Sequence, residues 1–239
     1  MRNSLITKLI GFFFLVHISI NSALGKNIDN QFLGDQLEMI LNQEKYALLE
    51  DLFLKKSFYY FNKKLIEFKE KYKDTRWSIN TISHSQNKVL LDVKLISSRK
   101  VGDIIYNLFS EQTVQIETFK NKIKSYKIIN EESILNSENS PLIVKIISPD
   151  KVLTGERYEV NLIVEEPFDN ALIASGMIVL KNKDNNNISN DEFGIEPNQS
   201  GGLFKYIQAP LKPGFQIISA IITHPEGIYS ITKKIKVGL

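Results

Sequence analysis

The spacing of apolar residues changes period once along the chain, and this limits the possible folds more than any other feature. From about Asn30 to Tyr72 the spacing is helical. Phe32, Leu33, Leu37, Ile40 and Leu41 form one stripe, and Tyr46, Leu49, Leu52 and Phe53 form a second. Phe58, Phe61, Leu65, Phe68 and Tyr72 form a third, in steps of three and four, which is how one face of a 3.6-residue helix repeats. Ser57 is placed to cap that third helix. Beyond Asp74 the period is two. Trp77 and Ile79 alternate, and Val89, Leu91, Val93 and Leu95 occupy one face of a strand over Lys88–Ile96. Helices followed by strands imply an α+β arrangement, with helices packed on an antiparallel sheet.

The strand pattern continues through Ile104, Tyr106 and Leu108 to Val114 and Ile116, then turns at Asn121-Lys122 into a partner strand over Ile123–Ile129. Glu131–Ser140 is polar apart from Ile134 and Leu135, and reads as a linker closed by Pro141. From Leu142 the pattern is all β. Tyr158, Val160, Leu162 and Val164 alternate, and Ala171–Leu180 reads as a buried strand. Pro213-Gly214 leads into Phe215, Ile217, Ser219 and Ile221, and His224-Pro225-Glu226-Gly227 turns into a last strand. About seven short strands in this half suggest a β-sandwich. The expected plan is a leader at 1–25, an α+β domain at 26–135, a linker at 136–141 and a sandwich at 142–239.

The leader is read from Arg2 and Lys8, the apolar run Leu9–Ile18, and the small residues Ala23 and Gly25 before Lys26. That is the pattern of a cleaved secretory signal. The apolar run is too short to span a bilayer, so no stable membrane anchor is expected after cleavage. Export to a periplasm or thylakoid lumen follows as the expected address.

The closing hairpin, Ser110-Glu111-Gln112-Thr113-Val114-Gln115-Ile116-Glu117 with Asn121-Lys122-Ile123-Lys124-Ser125-Tyr126, is similar to the hairpin that ends NTF2-like domains, with Lys122 in the usual glycine position. Together with the three helices, the resemblance covers about 30–135. It implies a cone of helices on a curved sheet, used in some members for isomerase or dehydratase chemistry and in many others for protein contacts. Val152-Leu153-Thr154-Gly155-Glu156-Arg157-Tyr158-Glu159-Val160 resembles bacterial extracellular Ig-like domains, gliding-motility repeats included. Taken whole, the chain resembles an exported cyanobacterial protein.

Composition removes whole classes of chemistry. The 239 residues contain no Cys, so disulfides, thiolate metal sites and Cys nucleophiles are excluded. The formal charge is +3, or +1 once Arg2 and Lys8 leave with the leader, which is too balanced for an electrostatic nucleic-acid binder. Only four of the 30 basic residues are Arg, so planar bidentate recognition of phosphate or carboxylate has little to draw on. The many Lys, Ile and Asn reflect AT-rich codons.

His84 and His224 are about 140 residues apart in turn-like contexts, and neither has a metal-binding partner at helical spacing. Asp184–Asp191 lacks the Gly and Glu positions of a calcium loop. No G-x-S-x-G or phosphate-binding loop is present; Ser175-Gly176 falls in a strand and Gly201-Gly202 in a turn. No metal or cofactor is expected. If the cone did isomerase-type chemistry, Asp92 and Asp103 are the sheet acids available as a base. Tyr59 and Tyr60, between Phe58 and Phe61, are the other candidates, because four consecutive aromatics cannot all face one core on a helix. The expected role is binding or assembly through a protein partner or a homodimer, with a small-molecule carrier or enzyme as the alternative.

Overall fold

A computed structural model describes residues 30–165, 173–180, 194–198 and 201–238. The expected leader, the Asn-rich stretch with Asp184–Asp191, and Ala171 and Leu172 lie outside the described residues. The described chain divides into two compact units. The N-terminal unit holds residues up to Arg99 together with Phe109–Ile129. The C-terminal unit holds Lys100–Leu108 and the chain from Asn130 onward.

In the N-terminal unit a 3-10 turn at Asn30–Phe32 leads into α1 (Leu33–Asn42). A second 3-10 turn, Tyr46–Leu48, leads into the short α2 (Leu49–Leu52), and α3 (Lys55–Lys69) follows. Antiparallel β1 (Asp74–His84) and β2 (Lys88–Val101) pair with Trp77 opposite Leu95 and Ile79 opposite Val93. The next strands are β3 (Ile104–Phe119) and β4 (Lys122–Ser137). Both expected periodicities are present in the core. Leu33, Leu37, Ile40 and Leu41 of α1 pack with Leu65 of α3 and with Val89, Leu91 and Val93 of β2.

α1 ends in a Schellman arrangement: Lys45 N–H bonds to Ile40 O, Glu44 N–H to Leu41 O, and Glu44 sits at φ 55°. Glycine is usual there. Here the carboxylate of Glu44 instead takes Lys69 of α3, and that hydrogen bond holds its pKa below the ordinary value. Its contribution is present above the unfolded-state pKa and is lost as the pH falls through the lowered one.

α1 also closes the free edge of β1. Gly34, Glu38 and Asn42 recur every four residues, about 6 Å along a helix, and meet Thr81, Ile79 and Trp77, spaced every two residues, about 6.8 Å along a strand. Gly34 N–H donates to Thr81 Oγ1 at 3.3 Å, and Ile79 N–H donates to Glu38 Oε2 at 2.6 Å. The Asn42 amide both donates to Trp77 O and accepts from Trp77 N–H, each at 2.8 Å. Unpaired edges invite strand addition, and the Glu38 and Asn42 side chains satisfy this one at Ile79 and Trp77.

Two local expectations are corrected. Ser57 does not cap α3, because Leu54 holds the N-cap position and Ser57 lies inside the first turn. Its hydroxyl is 2.8 Å from both Leu54 O and Ile123 O, so its single proton ties the helix start to β4. The β3–β4 turn is Lys120-Asn121 rather than Asn121-Lys122, with φ of 49° and 57°. Positive φ at both central residues is the type I′ hairpin, for which Asn-Gly is the preferred pair. Replacing Lys120-Asn121 by Asn-Gly should therefore raise stability by about 0.5–1 kcal/mol, read as a higher midpoint in urea without a change in slope.

In the C-terminal unit two sheets face one another in a β-sandwich-like arrangement. One sheet is β5 (Val144–Ile147), β7 (Arg157–Val164) and β10 (Gly202–Gln208), with β7 central. The other orders the end of β4, then β12 (Gly227–Val237), β11 (Gly214–His224), β8 (Ile173–Leu180) and β9 (Glu196–Asn198), with β6 (Lys151–Val152) parallel to β12. Val160 and Leu162 of β7 pack with Ile218, Ala220 and Ile222 of β11 and with Ile231 and Ile235 of β12. The inward face of β11 thus carries Ile218, Ala220 and Ile222. Ser219 and Ile221 are nevertheless fully buried, so β11 is covered on both faces.

The expected linker is a correction of larger consequence. Glu131–Asn136 are strand residues paired antiparallel with Tyr229–Lys234, Ile134 opposite Ile231 and Glu132 opposite Lys233. Glu131, Ser133, Leu135 and Ser137 are buried, and the unit boundary falls at Ile129/Asn130 instead of 136–141. The segment looked like a linker because its buried positions are mostly polar. Across the same face Ser219 and Thr232 bond each other at 3.0 Å and Ser230 bonds Ala220 O, so this sheet face buries hydroxyls. Lys233, also buried, reaches Asp150 at 2.8 Å and Glu132 at 3.4 Å.

Candidate interaction surfaces

Of the four residues singled out by sequence, the structure brings Tyr59 and Tyr60 together. α3 turns Leu65 and Phe68 into the core, and Phe61 stacks on Phe53 at 4.8 Å and meets Tyr126 edge-on at 5.8 Å. Burial pushes the Tyr126 phenol up to about 12. Tyr59 and Tyr60 fall on the far side of the helix, 63% and 40% exposed, with their rings T-shaped at 5.4 Å. Lys55, Lys56 and Lys63 are exposed on that side, and none forms an ion pair among the described residues. α3 has no acidic residue in its first turn, where the helix dipole disfavours cations. Two lysines there work against helix stability.

Asp92 is half-buried on β2, opposite Asn80, on the face that turns away from Leu91 and Val93. Asp103 is exposed in the turn between β2 and β3, beside Gly102 at φ 62°. The space between helices and sheet is filled by Leu33, Leu37, Leu49, Phe53, Leu91 and Ile123, among others. Among the described residues no three His, Asp or Glu side chains converge on a metal-sized site.

A second surface escaped the sequence analysis. On β7, Tyr158, Val160 and Leu162 point into the sandwich, so Arg157, Glu159, Asn161 and Ile163 point outward. The register sets Tyr206 beside Glu159 and Phe204 beside Asn161, with Ile147 of β5 on the other side of Asn161. Tyr206 is 64% exposed and Phe204 57%. Both are held in place. The Arg157 guanidinium lies 4.6 Å from the centroid of the Tyr206 ring. Glu159 lies opposite Tyr206 in the ladder, and its carboxylate, as hydrogen-bond acceptor first and as nearby charge second, holds the phenol above its ordinary pKa. A Cβ at Gly202 would come within 3.0 Å of the Phe204 ring, so that ring lies across the glycine where no side chain competes.

β10 is an edge strand, and its other face carries Leu203, Lys205 and Ile207. The Lys205 ammonium reaches Met177 O on β8 at 3.3 Å. An inward-pointing lysine on an edge strand resists pairing with a further strand. The signal for this surface was present in the sequence: inward Leu203 and Ile207 require that Phe204 and Tyr206 share the opposite face.

Residues 139–238 match the model of a family described as Domain of unknown function (DUF8623). That span lies within the C-terminal unit and leaves out Asn130–Glu138, which include the β4 residues paired with β12. No curated protein matches the chain.

Proposed function

We propose that this chain is an exported, non-catalytic binding module that acts through protein–protein contacts, built from an NTF2-like unit followed by an Ig-like unit. Three helices ahead of an antiparallel sheet, and two facing sheets after it, support the two fold assignments. The observation that carries the function is the outward face of α3, where Tyr59 and Tyr60 are exposed among Lys55, Lys56 and Lys63, which form no ion pair among the described residues. Tyr is enriched at binding hot spots because it offers a rigid ring with a polar tip. The lysines select the partner. A two-fold contact centred on this face would set lysine against lysine, so an acidic protein surface fits better than a second copy. A carrier or isomerase using the cone is less well supported, because apolar side chains fill that interior and Asp92 faces away from it.

Tyr60→Ala should weaken capture of the partner in pull-downs from an exported fraction by about 2 kcal/mol, with the melting temperature almost unchanged. Raised salt should weaken capture by the wild type as well. Phe61→Ala, which removes the ring stacked on Phe53, should instead cost about 3 kcal/mol of stability. If Tyr60→Ala melts as early as Phe61→Ala, Tyr60 is part of the core and the surface has no role.

A further inference from the structure

We infer that the outer face of the β5–β7–β10 sheet binds a neutral carbohydrate, with Phe204 and Tyr206 as the stacking platform. The two rings sit two residues apart on one strand, about 7 Å, and both stand exposed on the outward face of the sheet. A pyranose presents a C–H face that packs on an aromatic ring, and a chain of sugars can lie along such a row. Around the rings, donors and acceptors alternate: the Arg157 guanidinium, the Glu159 carboxylate and the Asn161 amide all point to the same side. Hydroxyls both donate and accept, so a polyol matches this mixture whereas a purely anionic or cationic ligand does not.

Charge points the same way. Lys145 and Arg157 against Glu159 leave this face with a net charge of only +1, so no strong field selects an ion. Addition of a peptide strand at β10 is opposed by the inward Lys205. Both rings are also preorganised. Phe204 lies over Gly202, and Tyr206 packs against the Arg157 guanidinium, so little side-chain entropy is lost on binding.

The test uses the full chain on an array of neutral gluco-, manno-, xylo- and galacto-oligosaccharides, with sulfated and uronic-acid oligosaccharides printed beside them. At least one neutral series should retain the wild type. Phe204→Ala and Tyr206→Ala should each weaken that retention about tenfold or more without moving the melting temperature. Tyr60→Ala should leave it unchanged, which separates this site from the proposed protein contact on α3. The inference is overturned if no neutral oligosaccharide is retained, if only the acidic sugars are, or if both aromatic variants bind like the wild type.

Discussion

A fragment beginning at Ser140 is expected to show no cooperative unfolding, whereas one beginning at Lys100 should unfold in a single sigmoidal step. The shorter fragment carries nearly all of the family-matched span and every strand from β5 onward. It lacks the end of β4. Without that strand, the backbone groups of β12 that face Glu131–Asn136 lose their partners, Ile231 loses its neighbour Ile134, and Lys233 loses Glu132. β12 is a central strand with both sheet faces largely buried. Its new edge would expose several unpaired backbone groups, at about 1 kcal/mol or more for each that water cannot reach. A domain of about 100 residues has only about 5–15 kcal/mol in total. The measurement is circular dichroism against temperature and urea for both fragments. A cooperative transition for the Ser140 fragment at the same midpoint as the longer one would show that β4 is dispensable, and the linker at 136–141 would then be the better boundary.

Gly34→Val should damage the N-terminal unit as much as loss of the Phe61 ring, lowering stability by about 3 kcal/mol. A Cβ at Gly34 would lie 2.9 Å from Thr81 Oγ1 and 3.1 Å from both Ile79 O and Thr81 N. Side-chain bulk there forces α1 away from β1, and the bonds from Glu38 to Ile79 and from Asn42 to Trp77 lengthen with it. Gly34→Ala should also destabilise, by about 1 kcal/mol. Its sign is informative, because Ala for Gly inside an open helix normally gains about that amount. Asn42→Ala should cost about 1–2 kcal/mol for its two bonds, and Asn42→Asp about half of that, since a carboxylate accepts from Trp77 N–H but cannot donate to Trp77 O. With a melting shift of roughly 2–4 °C per kcal/mol for a chain this size, Gly34→Val should melt roughly 6–12 °C below wild type. A Gly34→Ala variant more stable than wild type would mean that α1 does not sit tightly on the β1 edge.

The polar edge clasp and the polar strand share a reason for having been missed. Hydrophobic period reports which apolar side chains are buried, and in both places the structural contact is made by polar groups. Glu38 and Asn42 lie off the apolar stripe of α1, yet they complete the backbone bonding of β1. Ser133 and Ser137 read as linker, although they lie inside. The exposed pair on α3 was legible because four aromatics in a row exceed what one helical face can bury. Phe204 and Tyr206 were equally available, but a strand shows its outward face only after its inward face is known.

Sequence alone determined the order of architectures, helices before strands and then strands throughout, because 3.6-residue and 2-residue periods are imposed by backbone geometry within each segment. It also determined which side of α3 and which side of β7 turn inward, because aliphatic and aromatic stripes leave no competitive alternative. Tertiary structure alone decided where the units divide, which face of β11 meets the opposing sheet, and that Gly34 must remain without a side chain. Those outcomes depend on pairings between residues tens of positions apart, such as Ile134 with Ile231 and Asn42 with Trp77. Such a pairing is settled by hydrogen-bonding and packing energies that exist only once both partners have come together.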